Sequence, residues 1–249
     1  MDTLDVFSSK AEKYARYRWD YAPQAVQAIF EVTGIASQSW VADIGAGTGI
    51  LTRHFTGRVG RIFAVEPNAG MRRMAMRTLG SHPSCQIIAG CAEATALANG
   101  CIDLITAAQA ISWFDPLPAR AEFWRILKPG GWLAVLRNLD THAELGAALE
   151  KIYPAESDQE ALRKGKGIPL SFYYGGAEFL RQSFPFTTRN TWEEFLGSLS
   201  TASYAPDEDS PWYTAFERDA RRVFERFSRE GWVTSQAVTE LCLGQIQDL

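Results

Sequence analysis

The sequence predicts an α/β fold built on a parallel sheet with helices on both faces. Short apolar, β-branched runs alternate with helical patterns from Val41 to Leu136, and the first run ends in an acid and three alternating glycines, Gly45, Gly47 and Gly49. Strand and helix in alternation make neighbouring strands parallel, since each helix carries the chain back across the sheet before the next strand. Ligands of such sheets sit beyond the carboxyl ends of the strands.

Each element has a local reason. Val41 to Ile44 forms the first strand, and the pattern Leu51 to Thr56 predicts a helix after the glycines. Arg61 to Val65 is the second strand; Asn68 caps a helix running to Leu79. Gln86 to Ala89, Ile102 to Ala107 and Trp132 to Leu136 are the third, fourth and fifth strands, with a helix from Pro118 to Leu127 before the last of them. Asp43, Glu66, the turn Cys91 to Glu93 and Gln109 then all fall at strand ends. Beyond lie two helical patches, Ala143 to Tyr153 and Gln159 to Arg163, and a glycine-spiced stretch from Gly165 to Pro169, read together as a lid over a substrate. Phe184 to Asn190 reads as a strand, and Thr191 caps a helix from Trp192 to Leu199. A long helix runs from Pro211 to Arg229 and is stopped by Gly231, its face of Trp212, Phe216, Ala220, Val223, Phe224 and Phe227 pointing to core packing. Trp232 to Leu243 reads as a closing strand whose first half could equally be loop. The expected organisation is one domain: a helical cap over residues 1–38, a ligand-binding core over 39–137, the lid over 138–183 and a C-terminal part over 184–249 that completes the sheet.

With 249 residues, 46% of them hydrophobic and 22% charged, the chain has the composition of a self-folding globular domain. A formal charge of −4 without a basic run argues against nucleic acid as the main partner. Cys85, Cys91, Cys101 and Cys242 form no Cys-x-x-Cys pair, so no metal is expected. The start, Met1-Asp2-Thr3-Leu4-Asp5, lacks a secretory pattern, and no apolar run is long enough to span a bilayer. The expectation is a cytoplasmic protein, monomer or homodimer, acting on a small molecule.

The glycine loop narrows the ligand. A dinucleotide fingerprint places glycine at its first, third and sixth positions; here the sixth is Ile50. A phosphate loop needs Gly-Lys-Ser/Thr, and Ile50-Leu51 follows Gly49. What remains is Asp-x-Gly-x-Gly-x-Gly, backed by Glu66 at the end of the second strand, where a carboxylate can accept both hydroxyls of a ribose.

Asp43-Ile44-Gly45-Ala46-Gly47-Thr48-Gly49, then Val65-Glu66-Pro67, Gly90-Cys91-Ala92-Glu93, Gln109 to Asp115, and Leu127-Lys128-Pro129-Gly130-Gly131 resemble, in that order, the motif series of class I, Rossmann-like methyltransferases that use S-adenosyl-L-methionine. The leading segment Phe7 to Arg18 and the tail around Ser200 to Tyr204 are similar to a small-molecule subgroup that includes trans-aconitate-type methyltransferases. The resemblance implies a three-layer sandwich with a seven-stranded, mostly parallel sheet whose last strand is antiparallel, formed by a hairpin inserted between strands five and six in space. There are departures: Cys91 replaces a frequent acid, Ser112 a frequent histidine, and Arg18-Trp19-Asp20-Tyr21 stands where Arg-Pro-x-Tyr is common.

The expected cofactor contacts are Asp43, Gly45, Ala46, Gly47, Gly49, Glu66, Pro67, Met71, Ala92, Glu93, Gln109 and Tyr14. Trp113, Tyr17, Arg18, Tyr173 and Tyr204 are the expected pocket walls, with Arg18 a possible partner of an anionic substrate. Methyl transfer by direct in-line displacement needs alignment and exclusion of water rather than a covalent intermediate. A carboxylate acceptor needs no general base, whereas a hydroxyl does. His142 and Arg18 are the catalytic candidates. A relative that binds the methyl donor as a silent sensor or partner subunit is the alternative.

Overall fold

The computed structural model describes residues 10–153 and 167–247. Their elements in order are α1 (Ala11–Tyr17), α2 (Pro23–Thr33), β1 (Trp40–Ile44), β2 (Arg61–Val65), α3 (Ala69–Leu79), β3 (Cys85–Ile88), β4 (Ile102–Ala108), α4 (Pro116–Ile126), β5 (Leu127–Asp140), α5 (Ala143–Leu149), α6 (Leu170–Tyr173), β6 (Leu180–Asn190), α7 (Trp192–Ser200), α8 (Tyr213–Phe227) and β7 (Val233–Gln245).

The seven strands form one sheet in the order β3-β2-β1-β4-β5-β7-β6. Strands β1 to β5 pair in parallel, and β7 runs antiparallel between β5 and β6. This is the Rossmann-like sheet with an antiparallel last strand that the motif order implied. The central strands are mostly apolar: Val41, Ala42, Ile44, Ile62, Val65, Leu104, Ile105 and Leu133 to Leu136 are all buried. Burial on both faces is what a parallel strand between two helical layers requires. One core cluster fills each side, and a third, around Phe195, Phe216, Ala220 and Phe224, joins α7 to α8.

Local chemistry sets several boundaries. Asn68 caps α3 by accepting from the Met71 N–H, and Thr191 with Glu194 closes a capping box on α7. The helix expected from Leu51 to Thr56 is instead a 3-10 turn at Thr52–His54. It lies between Gly49 and Gly57, both at positive φ, where the chain turns away at either end. The long C-terminal helix begins at Tyr213 rather than Pro211 and ends at Phe227. Gly231 does not stop it: with Glu230 it supplies the positive φ values of a tight turn into β7, between the paired Arg229 and Trp232. Trp212 stays exposed, while Phe216, Ala220, Val223 and Phe224 are buried. β7 is strand over its whole length, including the half readable as loop. β6 begins before its expected limit and β5 ends beyond its own because each pairs along β7, while the start of β5 reaches back to Leu127, which pairs with Ile102 of β4. The patch Gln159 to Arg163 lies outside the described residues. No described helix is long and apolar enough to cross a membrane.

Candidate functional site

At the carboxyl end of β1 the chain turns through Gly45, Gly47 and Gly49, all at positive φ. The three are not equivalent. A Cβ on Gly45 would lie 2.7 Å from that of Ala110, and one on Gly49 2.9 Å from Leu79 Cδ1, so these two are needed by the protein's own packing. A Cβ on Gly47 would meet nothing within 4 Å. That space is where a ligand can reach the backbone.

The loop is anchored by two buried carboxylates. Asp43 takes a hydrogen bond from Thr52 Oγ1 at 2.6 Å on one oxygen and from Thr106 Oγ1 at 2.8 Å on the other. Burial raises its pKa, and the two hydroxyl bonds oppose that shift. Asp43 thus ties β1, the turn after the glycines and β4 together. Glu66 accepts from the Gly47 N–H at 2.9 Å on Oε2 and from the Asn68 N–H at 2.8 Å on Oε1. Burial raises its pKa too, with the two amides pulling it down. Each Glu66 oxygen keeps a further lone pair for a ligand hydroxyl. Beside them the Thr48 hydroxyl is buried with no hydrogen-bond partner. An open cradle at Gly47, a carboxylate with acceptor capacity to spare and an unpaired buried hydroxyl fit a ribose-bearing ligand.

The other expected cofactor residues distribute around this loop. Gly45 and Ala46 donate their N–H groups to the Val65 carbonyl, fixing the loop on β2. Met71 is buried in the first turn of α3, whereas Pro67 is exposed. Ala92 is buried, and Glu93 accepts from the Asp115 N–H at 2.7 Å, joining the turn after β3 to the start of α4. Tyr14 lies half-buried on α1 with the Arg18 guanidinium 5.4 Å from its ring centre.

Gln109 leads to a second feature. It is a non-glycine residue at φ 56, held by its N–H to the Leu136 carbonyl and by Nε2 to the Asn138 carbonyl at 3.2 Å. Such backbone costs free energy and is retained where it places a side chain for use. Gln109 stands three residues beyond Thr106 and opens into a cavity of about 240 Å³. Around it the cavity has polar groups at Arg18, Asn138, Asp140, Asn190, Ser198 and Ser235. Its apolar wall includes Trp19, Tyr153, Phe195, Leu199 and Tyr204, with the Tyr153 and Tyr204 rings edge to face at 4.5 Å. Burial raises the Asp140 pKa, which its bond from the His142 N–H partly offsets.

Of the expected pocket residues, Arg18 and Tyr204 line this cavity and three others lie elsewhere. Tyr17 packs its ring on Gly197 of α7 and donates to Glu193 at 2.9 Å. Tyr173 is fully buried against Phe123, and Trp113 packs on the same core cluster. His142 caps α5, its Nδ1 accepting from the Leu145 N–H at 3.2 Å. The lining residues that sequence reasoning passed over include Trp19, Asn138, Asp140, Tyr153, Phe195 and Ser198. Asn138 and Asp140 carried a signal, since two polar residues two apart at the end of an apolar strand share one face.

The family described as "Methyltransferase domain" matches residues 42–135. An uncharacterized methyltransferase of Mycobacterium bovis is 34% identical over 132 residues, covering 53% of this chain and 51% of its own. The chain thus spans about half the length of that curated relative. An uncharacterized methyltransferase-like protein of Schizosaccharomyces pombe is 27% identical over 214 residues, covering 83% of this chain and 82% of its own. Among solved structures, a candidate type II methyltransferase of Anaeromyxobacter dehalogenans superposes with a TM-score of 0.62 at 22% identity, over 94% of this chain and all of that one. The YcgJ protein of Bacillus subtilis does so at 0.58 and 14%, over 91% of this chain and all of its own. These two likenesses concern the fold.

Proposed function

We propose, on the match of residues 42–135 to the methyltransferase domain family, that the protein is an S-adenosylmethionine-dependent enzyme that methylates a small organic acceptor held in the cavity beside Gln109. The observation that carries this reading is the pairing of Gly47 with Glu66 at the mouth of an open glycine cradle. In this reading Gly47 presents backbone to the ligand while Gly45 and Ala46 hold the loop on β2, Glu66 accepts its ribose hydroxyls, and the turn around Ala92 flanks its base. Gln109 stands between the donor and acceptor sides. The cofactor, when bound, supplies a methyl group activated by a sulfonium leaving group.

The protein's own part is alignment and dryness. Trp19, Tyr153, Phe195 and Tyr204 wall the cavity and exclude water, and the amides of Gln109 and Asn190 orient polar groups of the acceptor. Asp140, with its raised pKa, is the group in the cavity wall able to take a proton from a neutral hydroxyl or amine; a carboxylate acceptor would not call on it. His142, occupied as a helix cap, is the weaker candidate for that role.

Incubation with methyl-labelled S-adenosylmethionine and a small-molecule metabolite extract tests the reading. Label should pass into a low-molecular-mass product, and Glu66→Ala should reduce the yield. Donor binding without any labelled product would favour the silent relative instead.

A further inference from the structure

The chain between α1 and α2, residues 18–22, has neither helix nor strand, and its first two residues, Arg18 and Trp19, line the cavity. Individual bonds must therefore fix its course. Asp20 makes most of them. One carboxylate oxygen accepts from Arg53 Nη2 at 2.6 Å, and the other accepts from the Tyr21 N–H at 2.8 Å and meets His54 Nε2 at 2.8 Å. Its carbonyl takes Asn138 Nδ2 at 3.0 Å, and the Ala22 N–H donates to Thr239 Oγ1 at 2.9 Å.

Arg53 and His54 belong to the 3-10 turn behind the glycine loop. That turn is tied to the cradle, since Thr52 Oγ1 donates to Asp43 and the Arg53 N–H to the Gly49 carbonyl at 3.1 Å. On the far side, the Asn138 carbonyl takes Gln109 Nε2 and its amide oxygen takes Thr239 Oγ1 at 2.7 Å. Asp20 thus stands where the bonds of the glycine loop meet those of the cavity wall. Burial would raise its pKa, but the bonds from His54 and Arg53 prevail and lower it, so the carboxylate is charged where it is used. Global stability is a poor explanation for the pair: Arg53 and Asp20 are 43% and 41% exposed, and ion pairs so open to water contribute little.

We propose that Asp20 is a positioning residue linking the two halves of the site: ligand at the glycine cradle stiffens the turn of Arg53 and His54, and Asp20 passes that order to Arg18 and Trp19. The acceptor wall is then held firm only when the methyl donor is in place. No change of shape is needed, because ordering one segment lowers the cost of ordering the next, and the coupling runs equally in both directions. This inference rests on the methyltransferase reading for the ligand that fills the cradle.

Hydrogen exchange of the full chain, with and without saturating S-adenosylhomocysteine, tests it. In the wild type the ligand should slow the amides of residues 19–22 about fivefold or more, together with those of 45–49. Arg53→Ala combined with His54→Ala leaves the bonds to Asn138 and Thr239 in place, and should cut the effect at 19–22 to below about twofold while 45–49 stay protected. Asp20→Ala should do the same, whereas Arg53→Lys should keep the effect. Calorimetry checks ligand binding by each variant. Protection of 19–22 that survives in the double variant would mark direct contact with the ligand and overturns the proposal, as does a wild type in which only 45–49 respond. Loss of ligand binding by both Asp20→Ala and the double variant would make the pair a scaffold of the cradle itself and also overturns it. If the wild type binds no S-adenosylhomocysteine, the cofactor reading falls first and the proposal with it.

Discussion

Gly47 gives its N–H to Glu66 Oε2 across 2.9 Å, so the glycine loop of β1 and the carboxylate at the end of β2 are one unit. The same carboxylate holds the Asn68 N–H that opens α3. Position and chemistry are thereby coupled: the group that would bind ribose also shapes the cradle. Glu66→Ala should weaken S-adenosylhomocysteine binding by at least about 1 kcal/mol, the scale of a hydrogen bond to a charged group. Titration calorimetry checks this, and unchanged affinity would take Glu66 out of the site.

The glycines should separate by mutation. Gly45→Ala meets Ala110 at 2.7 Å and sits at φ 71, so it should lower stability by roughly 1–3 kcal/mol. Gly47→Ala finds open space and should cost about 1 kcal/mol of backbone strain while losing most of its cofactor affinity. Thermal melts and calorimetry on the two variants give opposite rankings if Gly47 alone faces the ligand.

Stability against pH carries two contributions of opposite sign. Glu122 is nine-tenths buried, accepts from the Thr95 N–H and hydroxyl and pairs with Arg125, and its pKa is held down at about 2 despite burial. A lowered folded-state pKa means stability present above the ordinary carboxylate range near 4.5 and lost as pH falls toward 2. Asp43 and Glu66, raised by burial, act the other way: their contribution is greatest below the ordinary carboxylate range and is lost as pH rises through their folded values. Glu122→Gln should therefore be less stable by roughly 2 kcal/mol near neutrality and should flatten the acid limb of the profile, which denaturant melts from pH 7 to 3 will read.

The N-terminal helix depends on one small residue. A Cβ on Gly197 would lie 2.5 Å from the Tyr17 ring, so Gly197→Ala should push α1 off α7. Faster hydrogen exchange over residues 11–17, with the sheet amides unchanged, is the expected result. Arg18 and Trp19 follow directly, so acceptor binding should fall with it.

Much of this was legible because the informative residues act locally. Arg61 to Val65 coincides with β2, since a short β-branched run bounded by Gly60 and Pro67 has few other uses. Asn68 and Thr191 were readable as caps because the bonds they make reach only three residues ahead. Long-range features were not. Leu180 to Ser183 belong to β6 only through pairing with β7, sixty residues on. Tyr17 reads as a pocket aromatic until Gly197 is seen beneath it, and Asn138 joins the cavity because β5 runs past Leu136 along β7. His142 and Asp140 show the same limit at close range, since only the fold decides that the histidine caps α5 and the carboxylate reaches the cavity.

The central claim is that the Gly47–Glu66 unit is a methyl-donor cradle. Calorimetry of the full chain with S-adenosylmethionine, S-adenosylhomocysteine and NAD addresses it most directly. The account predicts micromolar binding of the first two, abolished or strongly weakened in Glu66→Ala, and none of NAD; tight NAD binding, or no binding of either sulfur ligand, would contradict it.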